Sequence, residues 1–410
     1  MNIKHPQVQS STPTRPYALS WLMLLGLLTA LGPLAIDMYL PALPAMSTAL
    51  GVSMASVSNT VPAYFLGLAV GQLVYGPVSD RFGRKPPLYV GLSVFVVASI
   101  VCALSTRLDV LIAARVVQAL GGCVGVVVAR SAIRDRLSPQ ASSQAYAMLL
   151  LVMGIAPILA PLLGGVLVLA GWSSIFWLLA VIGVLSLVAI HRLFDETLPV
   201  ERRQPLAFGL VLRGYGALLA DARFRTPALA GGCLMGALFV YISASSALLM
   251  DYFGVSAQQF GWLFGLNAAG LIALSQLNGR WVRRVPLLGL LQIGTLAQVL
   301  GVLTLLGLSF SGAAQLWSVM ACLFVVVSGI GLTAPNSTAL ALAEQGQRAG
   351  MASALLGSLQ FGLGLLGGTL LHALPFDALT NVAVMMTLLV LLGALAVWVH
   401  RARSLRMQAA

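Results

Sequence analysis

Twelve runs of predominantly apolar residues, each about 20 residues long, recur along the chain and fix its structural class. They fall at roughly 17–40, 59–79, 87–106, 109–131, 144–167, 172–193, 227–250, 259–279, 286–309, 314–335, 350–372 and 379–400. A helix of that length crosses the hydrocarbon core of a bilayer and satisfies its own backbone hydrogen bonds there. The chain is 59% hydrophobic and only 8% charged, too little charge to keep 410 residues dissolved as a soluble domain. The expectation is an all-α membrane protein with twelve transmembrane helices. The net charge of +12 is then a matter of topology. A nucleic-acid binder gathers its charge on a soluble basic face, and no such domain is present. Cys102, Cys123, Cys233 and Cys322 all lie inside apolar runs, without metal-ligand spacing, and read as small core residues. Lys4 and Arg15 ahead of Trp21–Ala30 resemble the start of a signal peptide. The run is too long for one and lacks a small-residue cleavage site, so an uncleaved first helix is expected.

The basic residues alternate with the runs. Arg81, Arg84 and Lys85 follow the second run; Arg130, Arg134 and Arg136 follow the fourth. Six arginines from Arg192 to Arg225 lie between the sixth and seventh, and Arg280, Arg283, Arg284, Arg348, Arg401, Arg403 and Arg406 continue the pattern. The opposite loops hold Arg107. By the positive-inside rule both termini are cytoplasmic. The longest polar connection divides the chain into a six-helix half at 1–193, a cytoplasmic linker at 194–226 and a second six-helix half at 227–410. Leu206–Ala220 is long enough for a helix on the membrane surface, although a plain linker is the favoured reading. The halves echo each other weakly: Asp37-Met38-Tyr39 against Asp251-Tyr252-Phe253, and Gly76–Lys85 against Asn278–Arg284. Such internal, inverted repeats are typical of secondary transporters, with the site between them near the midplane.

Asp37, in the stretch LGPLAIDMYLPALP, is the acid that falls well inside an apolar run. A carboxylate at membrane depth costs several kcal/mol unless paired, hydrated or protonated, so it is a functional candidate; the plainer alternative is a helix end in the headgroup region. Pro33, Pro41 and Pro44 bend or break the helix around it. The other ten acids sit in loops or at helix ends. Arg115 is the basic residue deep inside a span and needs a partner. Counted from the outer ends of their spans, Asp37 and Arg115 lie at similar depths, which predicts that they approach each other, directly or through water, in at least one conformation, as a proton-coupling pair. Tyr39, Tyr64, Gln72, Gln118, Tyr241, Asn267, Asn336 and Gln360 are polar or amphipathic residues inside spans and are candidates for the substrate cavity. No cluster of His, Cys or acids has catalytic or metal spacing, so neither an enzyme nor a metal site is expected.

Two motifs remain. Gly76-Pro-Val-Ser-Asp80-Arg81-Phe-Gly83-Arg84-Lys85 matches G-x-x-x-D-R-x-G-R-K, the loop signature of the major facilitator superfamily. Gly154-Ile-Ala-Pro157-Ile-Leu-Ala160-Pro161-Leu-Leu-Gly164-Gly165 resembles the antiporter motif of that superfamily, with Ala160 where Gly is usual. Its Gly and Pro residues share one helix face. Leu111–Gln118, around Arg115, is similar to a third superfamily pattern, with Ala119 in place of its following Gly. The opening stretch, with Glu196-Thr197-Leu198-Pro199 and Glu201–Pro205, resembles the bicyclomycin-resistance (Bcr/CflA) family of drug/proton antiporters. The resemblance implies a twelve-helix fold with alternating access, export of small drug-like molecules driven by proton entry, and residence in the bacterial inner membrane. Protons, drugs and the lipid bilayer are then the partners, with no cofactor, no nucleic acid and a monomeric state. It also implies that the Gly76–Lys85 loop and the fifth-span motif gate the cavity, Asp80 latching near Gly350 at the start of the eleventh span. A metabolite importer on the same fold is the alternative. In a variant lacking the four cysteines, a cysteine at Ser53 should react with an impermeant thiol reagent in intact cells, and one at Arg283 only after the membrane is opened. The reverse pattern overturns the topology.

Overall fold

Local chemistry sets where each apolar run starts and stops as a helix. The protein was analysed as a computed structural model that describes residues 19–203 and 208–409. Among the described residues there are no strands, and twelve helices are long and apolar enough to span a membrane. The first span, Leu19–Leu50, is not one rod. Its helix α1 (Leu19–Asp37) stops four residues after Pro33, a 3₁₀ turn carries Pro41, and α2 (Leu43–Leu50) resumes with Pro44 in its first turn. A short α3 (Met54–Ser58) leads into the second span, α4 (Thr60–Phe82). There follow α5 (Lys85–Leu104), α6 (Leu108–Arg136), α7 (Pro139–Leu167) and α8 (Ser173–Leu193). Ser138 caps α7 through its side chain, and Ser256 with Gln259 forms a capping box at the start of the eighth span.

The connection after the sixth span departs from the plain linker that the sequence favours. It forms helix α9 (Phe208–Ala220). Val211, Tyr215 and Leu218 recur at four- and three-residue spacing, so one face is apolar. That face packs with Phe224, Ala341 and Leu355, and the Tyr215 hydroxyl donates to the Leu73 carbonyl of α4 at 3.1 Å. The second set of spans is α10 (Ala222–Ser246, extended by a π-helical turn to Tyr252), α11 (Ala257–Trp281), α12 (Leu287–Ser311), α13 (Leu316–Leu342), α14 (Ala349–Leu371) and α15 (Ala378–Ala409).

The helices pack in two groups of six. In the first, α6 contacts α1, α4 and α5, while α8 contacts α5 and α1; in the second, α13 contacts α10, α11 and α12, and α15 packs on α10 and α12. The groups meet along two seams, α4 against α14 and α7 against α11. On the first seam Phe65 of α4 packs on Phe239 of α10 with ring centroids 4.7 Å apart, and Phe239 on Phe361 of α14 at 5.1 Å. At the α2 end the two groups are hydrogen-bonded: Ser246 donates to the Leu40 carbonyl and the Gln258 amide to the Gly165 carbonyl. At the arginine-rich end lies instead a cavity of about 900 Å³.

Close approach is most severe at Gly164, where any Cβ would collide with the Met38 carbonyl in the broken part of the first span. Overpacking of this kind costs roughly 1–3 kcal/mol or more. Gly164→Leu should therefore lower the thermal unfolding temperature in detergent sharply. Gly76→Ala, whose added methyl meets nothing within 4 Å, should leave it near the wild-type value. Equal behaviour of the two variants would contradict this packing.

Candidate functional site

Asp37 is the last residue of α1 and is only 3% exposed. The helix break places it there. The helical span runs on past Asp37 to Leu50, beyond the end near residue 40 that the apolar run suggests. It lines a cavity of about 100 Å³ between the two helix groups, with Pro157, Tyr241, Phe264, Asn267 and Ile272. Gly154 of the fifth-span motif also lines it. The wall is otherwise aliphatic. Asp37 Oδ1 and Asn267 Oδ1 are both buried and without a hydrogen-bond partner. Asn267 Nδ2 donates to the Tyr241 hydroxyl at 2.9 Å, and Tyr241 stacks on Phe264 with centroids 5.5 Å apart. Drug-sized ligands occupy pockets of roughly 300–1,000 Å³, so this space accepts a head group rather than a whole drug.

In this conformation Arg115 does not pair with Asp37. No ion pair involving Asp37 occurs among the described residues. The Arg115 guanidinium is fully buried, donates from Nη2 to the Ala35 carbonyl at 2.9 Å and from Nη1 to Gln118 Oε1 at 2.6 Å, and lies 4.2 Å from the ring centroids of both Tyr39 and Tyr64. The reason is helical phase. Position 37 is turned about 200° from 35 at 100° per residue, and Tyr39 reaches the arginine from the turn beyond the end of α1. Depth, counted from the ends of the apolar runs, says nothing about that angle. Ala35 lies in the last turn of α1, where carbonyls lose their intrahelical donors, so the arginine caps a broken helix.

The eight candidate cavity residues divide accordingly. Tyr241 and Asn267 line the Asp37 cavity. Gln72 lines the larger cavity and touches the α14 backbone near Gly357. Tyr39, Tyr64 and Gln118 belong to the Arg115 cluster; the Tyr39 hydroxyl is 3.2 Å from Thr60 Oγ1, and Gln118 donates to Ser99 at 2.7 Å. Asn336 is occupied by Asn278 Oδ1 at 2.6 Å and the Leu332 carbonyl, a bond between α13 and α11. Gln360 is half-buried and lines neither cavity. Hydropathy marks a residue as polar within a span but not which neighbour it faces.

In the Gly76–Lys85 loop, Arg84 is buried and central. Its Nη1 pairs with Asp80 Oδ1 at 2.6 Å and bonds Ser79 Oγ at 2.8 Å, while its Nε pairs with Asp135 Oδ2 at 2.8 Å. Arg81 is exposed. Gly83 adopts φ 93°, a left-handed value that favours glycine, and a Cβ there would meet the Glu196 carboxylate. Glu196 Oε1 accepts the backbone N–H groups of Arg84, Thr197 and Leu198, each at 2.9 Å, and Oε2 accepts that of Lys85 at 3.1 Å. Asp135 and Glu196 are site residues that charge counting placed merely in loops, although Glu196 stands in a stretch that carries the family resemblance; the burial of Arg84, which only the structure shows, is what calls for anionic partners. Asp80 and Gly350 line the same cavity of about 900 Å³, yet among the described residues no hydrogen bond or ion pair joins Asp80 to α14. Arg134 instead lies over the start of α14, Nη1 being 3.7 Å from where a Gly350 Cβ would sit. Of the fifth-span motif, Gly154 faces Ile272, Pro161 is inside α7, Gly164 abuts the Met38 carbonyl and Gly165 the Ala257 carbonyl, so this face carries both α1 and α11.

Two groups of spanning helices enclosing a buried acid describe a membrane transporter, not an enzyme. The sequence matches the Major Facilitator Superfamily over residues 25–369. It is 35% identical over 389 residues to an uncharacterized MFS-type transporter, YdgK, of Bacillus subtilis, covering 93% of this chain and 96% of that one. It is 30% identical over 392 residues to a bicyclomycin resistance protein homolog of Haemophilus influenzae, covering 94% and 97%. The crystal structure of a D-xylose-proton symporter superposes with a TM-score of 0.74 at 14% identity, over 92% of this chain and 97% of that one, a likeness of fold. The chain belongs to the major facilitator superfamily.

Burial pushes the Glu196 carboxyl up, but the four backbone donors outweigh it and hold it below the ordinary value of 4.5. A carboxyl lowered on folding contributes stability that is complete above its ordinary value and fades as pH falls through the folded one. Glu196→Gln should therefore unfold earlier than wild type at pH 7, and the gap should narrow below about pH 4.5. Thermal unfolding across pH 3–7 checks this, and a gap independent of pH would remove the charge from the account.

Proposed function

We propose that this transporter exports small drug-like molecules across the bacterial inner membrane in exchange for protons, by alternating access, with both termini cytoplasmic. The observation that carries the reading is Asp37: a buried carboxyl with an unpartnered oxygen, at a helix break, in a cavity that both helix groups share. A pocket this apolar accommodates one neutralising event at a time. Either a proton sits on the carboxyl or a cationic or donor head sits beside it, and an excess charge without a partner is expensive there. Proton and substrate therefore exclude one another, which is the requirement for exchange.

In this reading the arginine-rich end is cytoplasmic and the cavity of about 900 Å³ is the entry vestibule. The hydrogen bonds at the α2 end form the closed outer gate. Residues 1–193 and 227–410 rock against each other along the α4–α14 and α7–α11 seams, joined by 194–226. Arg115 acts as a positioning residue that holds the break in α1, so that Asp37 faces the cavity. The Asp80–Arg84–Asp135–Glu196 cluster fixes the cytoplasmic loop, and the Gly154–Gly165 face lets α7 carry α1 and α11 at close range. The proton gradient supplies the drive, no cofactor takes part, and a monomer suffices. Drugs as the cargo follow from kinship with the bicyclomycin resistance protein homolog.

The test is drug-induced proton release from detergent-solubilised protein. Asp37→Asn should still bind a neutral drug but release no protons, whereas wild type releases them on drug addition. Proton release by Asp37→Asn at the wild-type level would place the proton site elsewhere.

A further inference from the structure

The two orphaned oxygens in the Asp37 cavity specify the chemistry of what enters it. Asp37 comes from α1 and Asn267 from α11, one from each helix group. Both side chains are at least 97% buried, and Asp37 Oδ1 and Asn267 Oδ1 lack partners while lining one cavity. The amide nitrogen of Asn267 is already committed to the Tyr241 hydroxyl at 2.9 Å. What the amide has left to offer is therefore its carbonyl oxygen. Two residues that line the space thus each hold a buried, unpartnered acceptor, one of them on a carboxylate, and the remaining wall is Phe264, Ile272, Pro157 and other apolar groups. A buried acceptor left without a donor is costly, and a ligand that brings donors recovers that cost.

We propose that this pocket takes the head group of a lipophilic primary or secondary ammonium ion, its N–H groups bridging Asp37 and Asn267, and that it discriminates against the fully alkylated cation. The head must bring at least two N–H donors, because the two oxygens are separate. A primary ammonium has three and a secondary one has two; a quaternary one has none and leaves both oxygens bare. The cavity of about 100 Å³ holds such a head with its first carbons, and the apolar body lies against Phe264 and Ile272. Asn267 is the specificity-determining residue: Asp37 attracts any cation, but the carbonyl rewards only a donor. Since the bridged residues belong to different helix groups, an occupied pocket ties α1 to α11. This inference rests on the pocket being the substrate site of the proposed exporter.

The experiment uses two probes, 4-phenylbutylammonium and its N,N,N-trimethyl derivative, titrated calorimetrically into the full-length protein in detergent. Wild type should bind the primary ammonium at least about tenfold more tightly, since a site built to hydrogen-bond N–H groups rejects an analogue that lacks them. Asn267→Leu should weaken the primary ammonium by about tenfold and leave the trimethyl compound unchanged, so that the preference vanishes. Equal binding of both probes to wild type, or no binding of either, overturns the proposal, and that comparison needs no variant. A loss in Asn267→Leu that is the same for both probes overturns it too. Export of the probes from proteoliposomes, with and without a pH gradient, separates the two readings. Gradient-driven export without a donor preference removes this proposal and keeps the exporter. A donor preference without gradient-driven export supports the pocket chemistry and removes the proton exchange.

Discussion

The grip of Arg115 on the end of α1 is the interaction on which the rest depends. A guanidinium buried at membrane depth is tolerable only when its donors and its charge are both answered. Here a backbone carbonyl and a glutamine oxygen take one donor from each Nη, Nε is left without an acceptor, and two tyrosine faces answer the charge. Cation–π contacts in such desolvated settings are worth about 2 kcal/mol each. The partner carbonyl is available because Pro33, Pro41 and Pro44 interrupt the first span. The break is thus not a defect that the fold tolerates. It creates an acceptor for Arg115 on one face of α1 and turns Asp37 toward the cavity on the other.

Glycines extend the same logic. The broken stretch exposes the Met38 carbonyl, and Gly164 lets α7 lie directly against it. Gly165, one residue on, brings α7 against the backbone at Ala257. One helix therefore contacts both the interrupted span and the second helix group at van der Waals distance. In a bilayer, where lipid competes equally for apolar side chains, backbone-to-backbone approach of this kind is a principal source of helix association. The seam that carries Asp37 and Asn267 is consequently narrow, which keeps its cavity small.

At the arginine-rich end the balance is electrostatic. Arg84 is held by two carboxylates while Glu196 gathers four backbone N–H groups, so the turn between α4 and α5 and the strand of chain after α8 are fastened together. The fastening lies within the first helix group. Between the groups this end has α9, docked through Tyr215 onto α4 and through its apolar face near α14, and a wide cavity. The two ends of the molecule thus differ in kind: direct hydrogen bonds between groups at one, a polar cavity at the other.

Hydropathy and charge in the sequence determined the class, the twelve spans and the location of the charged loops, because the bilayer imposes length and polarity on every crossing independently of the others. The sequence also singled out Asp37, Arg115, the Gly76–Lys85 loop and the fifth-span motif, since a charge or a run of glycines and prolines stands out against an apolar background. Tertiary structure decided what each of these faces. Helical phase set Asp37 and Arg115 on opposite sides of α1, and long-range packing gave Arg84 its partner Asp135, 51 residues away in sequence. It placed Asn267 beside Asp37 but Asn336 against Asn278, although both asparagines look alike within their spans. Val211, Tyr215 and Leu218 dock the helix that the connection between the halves forms. Which side chains share a cavity depends on rotation about each helix axis and on which helices touch, and neither is a property of any one segment.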